Sequence, residues 1–120
     1  MELNINQWKE IKNHCEEKGL EFLSSPFSLA AVDLLEEVGI KKYKIGSGEV
    51  TNYLMLEKIA KTGKDIILSS GMSNYKELDD VFGFLRPYKN KLSVLQCTTQ
   101  YPTNSKNIGL NVISELKKKV

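Results

Sequence analysis

Lys44-Ile45-Gly46-Ser47-Gly48-Glu49 joins an apolar, strand-like run over residues 41–47 to a helix-like segment that opens at Asn52. In a turn from strand into helix, glycines let the backbone approach a ligand, and the following helix offers free N–H groups to an anion. In extended chain, Lys44 points to the side opposite its apolar neighbours Tyr43 and Ile45. A lysine so placed needs a solvent edge or an anionic partner. Two readings stand at this point. One is an edge-strand lysine followed by a turn glycine; the other is a cation, a hydroxyl and a carboxylate gathered around a ligand.

Outward from this turn, two periodicities alternate. Towards the N-terminus, Ile5, Trp8, Ile11 and Cys15 recur at helical spacing over residues 5–18, with Trp8 as the buried anchor and Gly19 as the stop. Leu20 to Phe27 reads as a short strand. Ser28 caps a second helix, whose Leu29, Val32, Leu35 and Val38 share one face before Gly39 ends it. Towards the C-terminus, Asn52 opens a helix through Lys61, with Leu54, Leu56 and Ile59 as apolar contacts and Gly63 as its stop. A strand over Asp65–Ser70 follows, then a helix opened by an Asn74/Glu77 capping box and closed before Pro87. Leu92–Thr98 is a further strand. A loop containing Pro102 leads to a last helix carrying Leu110, Ile113 and Leu116. Met55 and Met72 read as core filler, and Ser28 and Ser73 as caps or turn formers.

The order is a helix followed by four β-α units about 25 residues apart, which is the α/β rhythm of a parallel sheet with crossover helices. Two architectures fit: a small doubly wound domain of the flavodoxin type, or roughly half of a (β/α)8 barrel, which needs about 250 residues. Opening on a helix favours the second, because a doubly wound domain starts on a central strand.

The totals narrow the function. The 120 residues suffice for one core. Seventeen basic and fifteen acidic residues are well mixed and leave a net charge of +2, which argues against a nucleic-acid footprint. Lys117-Lys118-Lys119 reads as a solvated helix end. Cys15 and Cys97 form no disulfide framework. The single His14, in a polar helical stretch, lacks imidazole partners for a metal site. No apolar run reaches membrane-spanning length and no signal-peptide pattern opens the chain, so a cytoplasmic protein with no membrane partner is expected.

Ligands of parallel sheets bind at the C-terminal ends of the strands, and the polar residues gather there. The four expected strands end in Ser24, Ser25 and Pro26; in Lys44, Ser47 and Glu49; in Ser69, Ser70 and Gly71; and in Gln96, Thr98, Thr99 and Tyr101. Such a rim suits a phosphate or a carboxylate. The plainer alternatives are turn-forming serines, β-forming Thr98 and Thr99, and a packing role for Tyr101.

Phe22-Leu-Ser-Ser-Pro-Phe27, Tyr43-Lys-Ile-Gly-Ser-Gly-Glu49, Ile67-Leu-Ser-Ser-Gly-Met72 and Leu95-Gln-Cys-Thr-Thr-Gln-Tyr-Pro-Thr103 occur in this order. Together they resemble the sialic acid (N-acetylneuraminate) synthase family, which includes legionaminate and pseudaminate synthases and spore-coat polysaccharide relatives. The resemblance covers essentially the whole chain. It implies that residues 1–120 are the central segment of a TIM barrel, strands three to six preceded by a helix, without the family's C-terminal antifreeze-like domain. It further implies condensation of phosphoenolpyruvate with an N-acetylated amino sugar such as N-acetylmannosamine, giving a nine-carbon acid and phosphate. Manganese or magnesium would assist, its histidine ligands lying outside this chain. Residue by residue, the resemblance assigns Ser25, Lys44, Ser47 and Ser69 to phosphoenolpyruvate. Glu49 falls near the sugar and the reacting carbon as a proton-handling carboxylate, so Lys44 and Glu49 are the catalytic assignments. Thr99 and Tyr101 fall on sugar contacts, although Thr99 stands where several members carry asparagine; Gln96, a further substrate-binding assignment, stands where some members carry histidine and others glutamine. No metal ligand is assigned here. The intact enzyme is expected to be a homodimer; the isolated chain is expected to be inactive and, with open sheet edges, prone to self-association. A non-catalytic flavodoxin-like phosphate-binding domain and a truncated remnant are the alternatives.

Overall fold

The computed structural model describes residues 3–120, so the first two residues of the expected 1–120 segment lie outside it. Three short parallel strands, β1 (Lys42–Ile45), β2 (Asp65–Ser69) and β3 (Leu92–Leu95), pair in sequence order. Lys44 lies opposite Ile67 and Ile67 opposite Ser93. Each crossover is helical: α3 (Tyr53–Ala60) joins β1 to β2, and α4 (Tyr75–Leu85) joins β2 to β3. Helices α1 (Ile5–Glu17) and α2 (Leu29–Val38) precede the sheet, and a single turn-and-a-half, α5 (Val112–Leu116), follows it.

The helices form where local chemistry favours them. Asn4 and Gln7 make a reciprocal capping box at α1; Ser28 Oγ accepts from Ala31 N at α2; Asn74 and Glu77 form a second capping box at α4. Gly39 ends α2 at φ +81°, a left-handed conformation that a side chain would strain.

One face of the sheet carries the core. Tyr43, Ile45, Ile66 and Leu68 are at most 1% exposed and pack with Val32 and Leu35 of α2, Met55, Leu56 and Ile59 of α3, and Val81 of α4. Burying each such aliphatic chain is worth about 1.5–3 kcal/mol. Tyr43 brings a hydroxyl into this core and has it satisfied, donating to Glu36 Oε1 at 2.6 Å, which also receives Lys64 Nζ at 2.6 Å. Burial, and then the carboxylate of Glu36, push the Tyr43 phenol well above its ordinary range.

Several expectations need correction. Leu20–Phe27 is not a strand: it makes one parallel bridge, Ser24 to Tyr43, with Lys44 N donating to Ser24 O at 3.3 Å. Pro26 has no N–H with which to extend the pairing. The sheet thus has three strands, not four. The last strand stops at Leu95 rather than Thr98, because the groups beyond it bond to a loop instead of a ladder. In α3 the inward face is Met55, Leu56, Ile59 and Ala60, while Leu54 is 73% exposed; with 3.6 residues per turn, Leu54 stands about 200° round the axis from Leu56. Leu29 (45%), Leu110 (64%) and Met72 (65%) are also exposed. Trp8 is only half-buried, meeting Phe22 edge-on at 6.2 Å, because α1 has α2 on one side and no second layer.

The strand order runs sequentially without reversal, and α2, α3 and α4 cover one face. A doubly wound domain has helices on both faces and a reversal of order at its switch point. Neither occurs among the described residues, so the flavodoxin-like alternative does not fit.

Candidate functional site

Strand alternation places Lys44, Ile67 and Ser93 on the face that the helices leave open, with Ser69 one pleat further along β2. From strand geometry, the Cα atoms of Lys44 and Ser69 are about 8 Å apart, within reach of a lysine side chain. Ser25 follows the Ser24 bridge, and it lines a cleft of about 610 Å³ together with Lys44, Trp8, Leu23, Phe27 and Leu34. Ser47, Ser69 and Glu49 do not line that cleft.

The electrostatics single out Lys44. Among the described residues, the other partly buried lysines all have a carboxylate oxygen within 4.0 Å: Lys12 (Glu16), Lys42 (Glu21), Lys58 (Asp33) and Lys64 (Glu36). Lys44 is partly buried and has none. On the same face Ser69 is 4% exposed, and its Oγ makes no hydrogen bond to the described residues. A half-buried cation and a buried, unsatisfied hydroxyl are both costly unless something else completes them. An anionic ligand bearing oxygen acceptors would serve both.

After β1 the chain enters a 3-10 turn, Ser47–Glu49, with Glu49 N donating to Gly46 O at 2.9 Å. The Glu49 carboxylate is half-buried and accepts from Asn52 Nδ2 at 2.9 Å. A Cβ at Gly46 would make only ordinary van der Waals contact, 3.7 Å, with the Phe27 ring.

The residues after β3 are placed differently. Gln96 is spent internally: its Oε1 accepts from Ser70 Oγ at 3.3 Å and its Nε2 donates to Ile108 O at 3.3 Å. Thr99 Oγ1 donates to Gly71 O at 2.9 Å, tying the loop after β3 to the loop after β2. That approach requires a glycine, since a Cβ on Gly71 would lie 3.0 Å from Thr99 Oγ1 and 3.1 Å from the Cys97 Cβ. Thr98 is no β-former here; its hydroxyl donates to the carbonyls of Asn107 (3.0 Å) and Ile108 (3.2 Å). Tyr101 is 96% exposed and packs against nothing, contrary to the packing alternative. The structure therefore brings Ser25 and Lys44 together, sets Ser69 on the same face, and leaves Tyr101 apart. Asn52, read from sequence only as a helix opener, is the neighbour of Glu49 that sequence reasoning missed; an asparagine cap three residues after an acid was the available signal.

Among the described residues, no group of three or more His, Cys, Asp or Glu side chains is arranged to hold a metal ion. No helix among them is long and apolar enough to cross a membrane.

Fold and site together define an α/β protein of the parallel crossover type, with a cation, hydroxyls and a carboxylate at its strand ends. The backbone matches N-acetylneuraminic acid (sialic acid) synthetase of Leptospira borgpetersenii with a TM-score of 0.94 at 28% identity, over 99% of this chain and 42% of that one. The chain belongs to the NeuB family, whose model matches residues 1–120. It is 41% identical over 120 residues to N,N'-diacetyllegionaminic acid synthase of Campylobacter jejuni, covering 98% of this chain and 36% of that protein. With human N-acetylneuraminate-9-phosphate synthase it shares 35% identity over 118 residues, 98% of this chain and 33% of that protein. The chain thus spans about a third of the length of the curated relatives it matches.

Proposed function

We propose that this chain is the central, substrate-holding segment of a nonulosonate synthase, a cytoplasmic transferase of carbohydrate biosynthesis. It would condense phosphoenolpyruvate with an N-acetylated amino sugar such as N-acetylmannosamine. In this reading β1, β2 and β3, with the bridged segment 20–27, are strands three to six of a (β/α)8 barrel, and the open face of the sheet is the barrel's interior. The observation that carries it is a pair of groups on that face unmet among the described residues: Lys44 without a carboxylate and Ser69 Oγ without a hydrogen-bond partner.

The chemistry assigned to these residues is specific. Lys44, with Ser25, Ser47 and Ser69, holds the phosphate and carboxylate of phosphoenolpyruvate, which fixes carbon three towards the sugar aldehyde. The new bond forms between carbon three and the aldehyde carbon as the aldehyde oxygen takes up a proton and becomes a hydroxyl, water adds at carbon two, and phosphate leaves by C–O cleavage. Glu49 accepts the proton of the adding water. Thr99 and Tyr101 are the sugar-side assignments, and Gln96 is a further substrate-binding one. The hydrogen bonds within the chain at Gln96 and Thr99 favour a supporting role for those two, and the exposure of Tyr101 leaves it free for contact. The manganese or magnesium ion of the family would supply a Lewis acid for the aldehyde from ligands other than these residues, and no step above is routed through it. The active protein is proposed to be a homodimer.

The test is amide NMR of the chain titrated with phosphoenolpyruvate. Signals of Lys44, Ser47 and Ser69 are expected to move, and the movement to vanish in Lys44→Met. Shifts confined to other residues, or undiminished in Lys44→Met, would overturn the assignment. The chain alone is expected to release no phosphate from phosphoenolpyruvate and N-acetylmannosamine.

A further inference from the structure

Among the described residues, a single one holds the Glu49 carboxyl group, and that residue holds Glu49 twice. Asn52 donates its backbone N–H to Glu49 O at 3.0 Å and its side-chain Nδ2 to Glu49 Oε2 at 2.9 Å. Its remaining side-chain atom, Oδ1, accepts from Met55 N at 3.3 Å and caps α3. The other carboxylate oxygen, Glu49 Oε1, accepts no hydrogen bond from the described residues. Capping alone does not call for asparagine, because aspartate or serine would cap α3 as well. Asparagine adds an N–H₂ group beside its acceptor oxygen, so one side chain can cap the helix and grip a carboxylate. It does so without charge. A lysine or arginine in the same place would bring a positive charge against the carboxylate, whereas an amide fixes its direction and leaves the negative charge in place.

We propose that Asn52 is a positioning residue for Glu49, fixing its carboxylate against the first turn of α3 with Oε1 left open to a ligand or a proton. The proposal rests on the proton-handling role given to Glu49 above and extends it to a residue outside the four sequence motifs. It accounts for Asn52 being half-buried with both its side-chain nitrogen and its side-chain oxygen hydrogen-bonded, which a surface cap would not require.

The test is NMR of the 120-residue chain and needs no turnover. The side-chain amide signals of Asn52, identified by their loss in Asn52→Asp, are expected to move towards ordinary asparagine positions in Glu49→Ala. Asn52→Asp keeps the cap acceptor but loses the donor, so α3 should persist while the Glu49 side-chain carboxyl carbon signal shifts. Asn52→Ala removes cap and grip together and should loosen α3 as well. If the Asn52 amide signals stay in place in Glu49→Ala, or the Glu49 carboxyl signal is the same in the native chain and Asn52→Asp, the proposal is wrong. Phosphoenolpyruvate added to the same samples reports separately on the reading beneath it. Absence of ligand-induced shifts at Lys44 and Ser69 in the native chain would sink that reading, while the amide comparison would still decide the role of Asn52.

Discussion

The two faces of this small sheet are built from alternate residues of the same strands, yet they are held to different standards. On the helix-covered face, Tyr43, Ile45, Ile66 and Leu68 are essentially without solvent contact, and even the phenol of Tyr43 has its hydrogen bonds made. On the open face, Lys44 is half-buried with no carboxylate among the described residues beside it, Ser69 Oγ is buried without a partner among them, and Leu95 is 41% exposed. A one-residue step along β1 passes from the first environment to the second. Stability therefore resides in one face and unmet binding capacity in the other, and substitutions in adjacent positions should separate the two.

The largest effect is expected at Leu68→Ala, which removes a side chain with no exposure from the covered face. A loss of about 2–5 kcal/mol is expected from the cavity and the lost transfer energy, measured by urea unfolding. A loss below about 1 kcal/mol would mean that this face is not the core.

Tyr43→Phe should cost less, about 1–2 kcal/mol, because it keeps the ring and deletes a hydrogen bond to a carboxylate. Amide signals of Lys44 should move little. The same residue sharpens the contrast through pH. Its phenol is held protonated above the ordinary tyrosine range, so the stability it contributes is fully present below about pH 10 and drains away as pH rises towards the folded value. In an alkaline titration followed by phenolate absorbance, one of the five tyrosines should stay silent until the fold itself is lost. A Tyr43 that ionises with the others would break the comparison.

Lys44→Met should change stability by less than about 1 kcal/mol, and towards stabilisation, since a half-buried cation without a partner is replaced by an apolar chain. A marked loss of stability in urea would show that Lys44 serves packing. The smallest effect belongs to Ser93→Ala, exposed on the open face of β3, which should stay within about 0.5 kcal/mol of the native chain in the same unfolding experiment.

Much of the local structure was legible in the residues. The caps at Ser28, Asn52 and Asn74 and the stops at Gly19, Gly39 and Gly63 act over three or four residues, and the helices begin and end within a residue or two of where they indicate. The β-α rhythm and the placing of Lys44 opposite Tyr43 and Ile45 follow from a period of two, which needs only a pleated backbone. The face of α3 was misread by one position at Leu54, because a helix of eight residues offers too few turns to fix its phase.

Local chemistry in the chain thus specified the elements, their order and the residues at the strand ends, since each of those depends on neighbours a few positions away. Three-dimensional packing set the rest. It reduced residues 20–27 to a single bridge, for want of a donor at Pro26 and of further pairing. It spent the hydroxyls of Thr98 and Thr99 and the amide of Gln96 on carbonyls and hydroxyls 9 to 28 residues away. It also left Lys44 and Ser69 on one face without partners among the described residues. A hydrogen bond across such distances depends on where two loops meet in space, and no periodicity in the residues encodes that meeting.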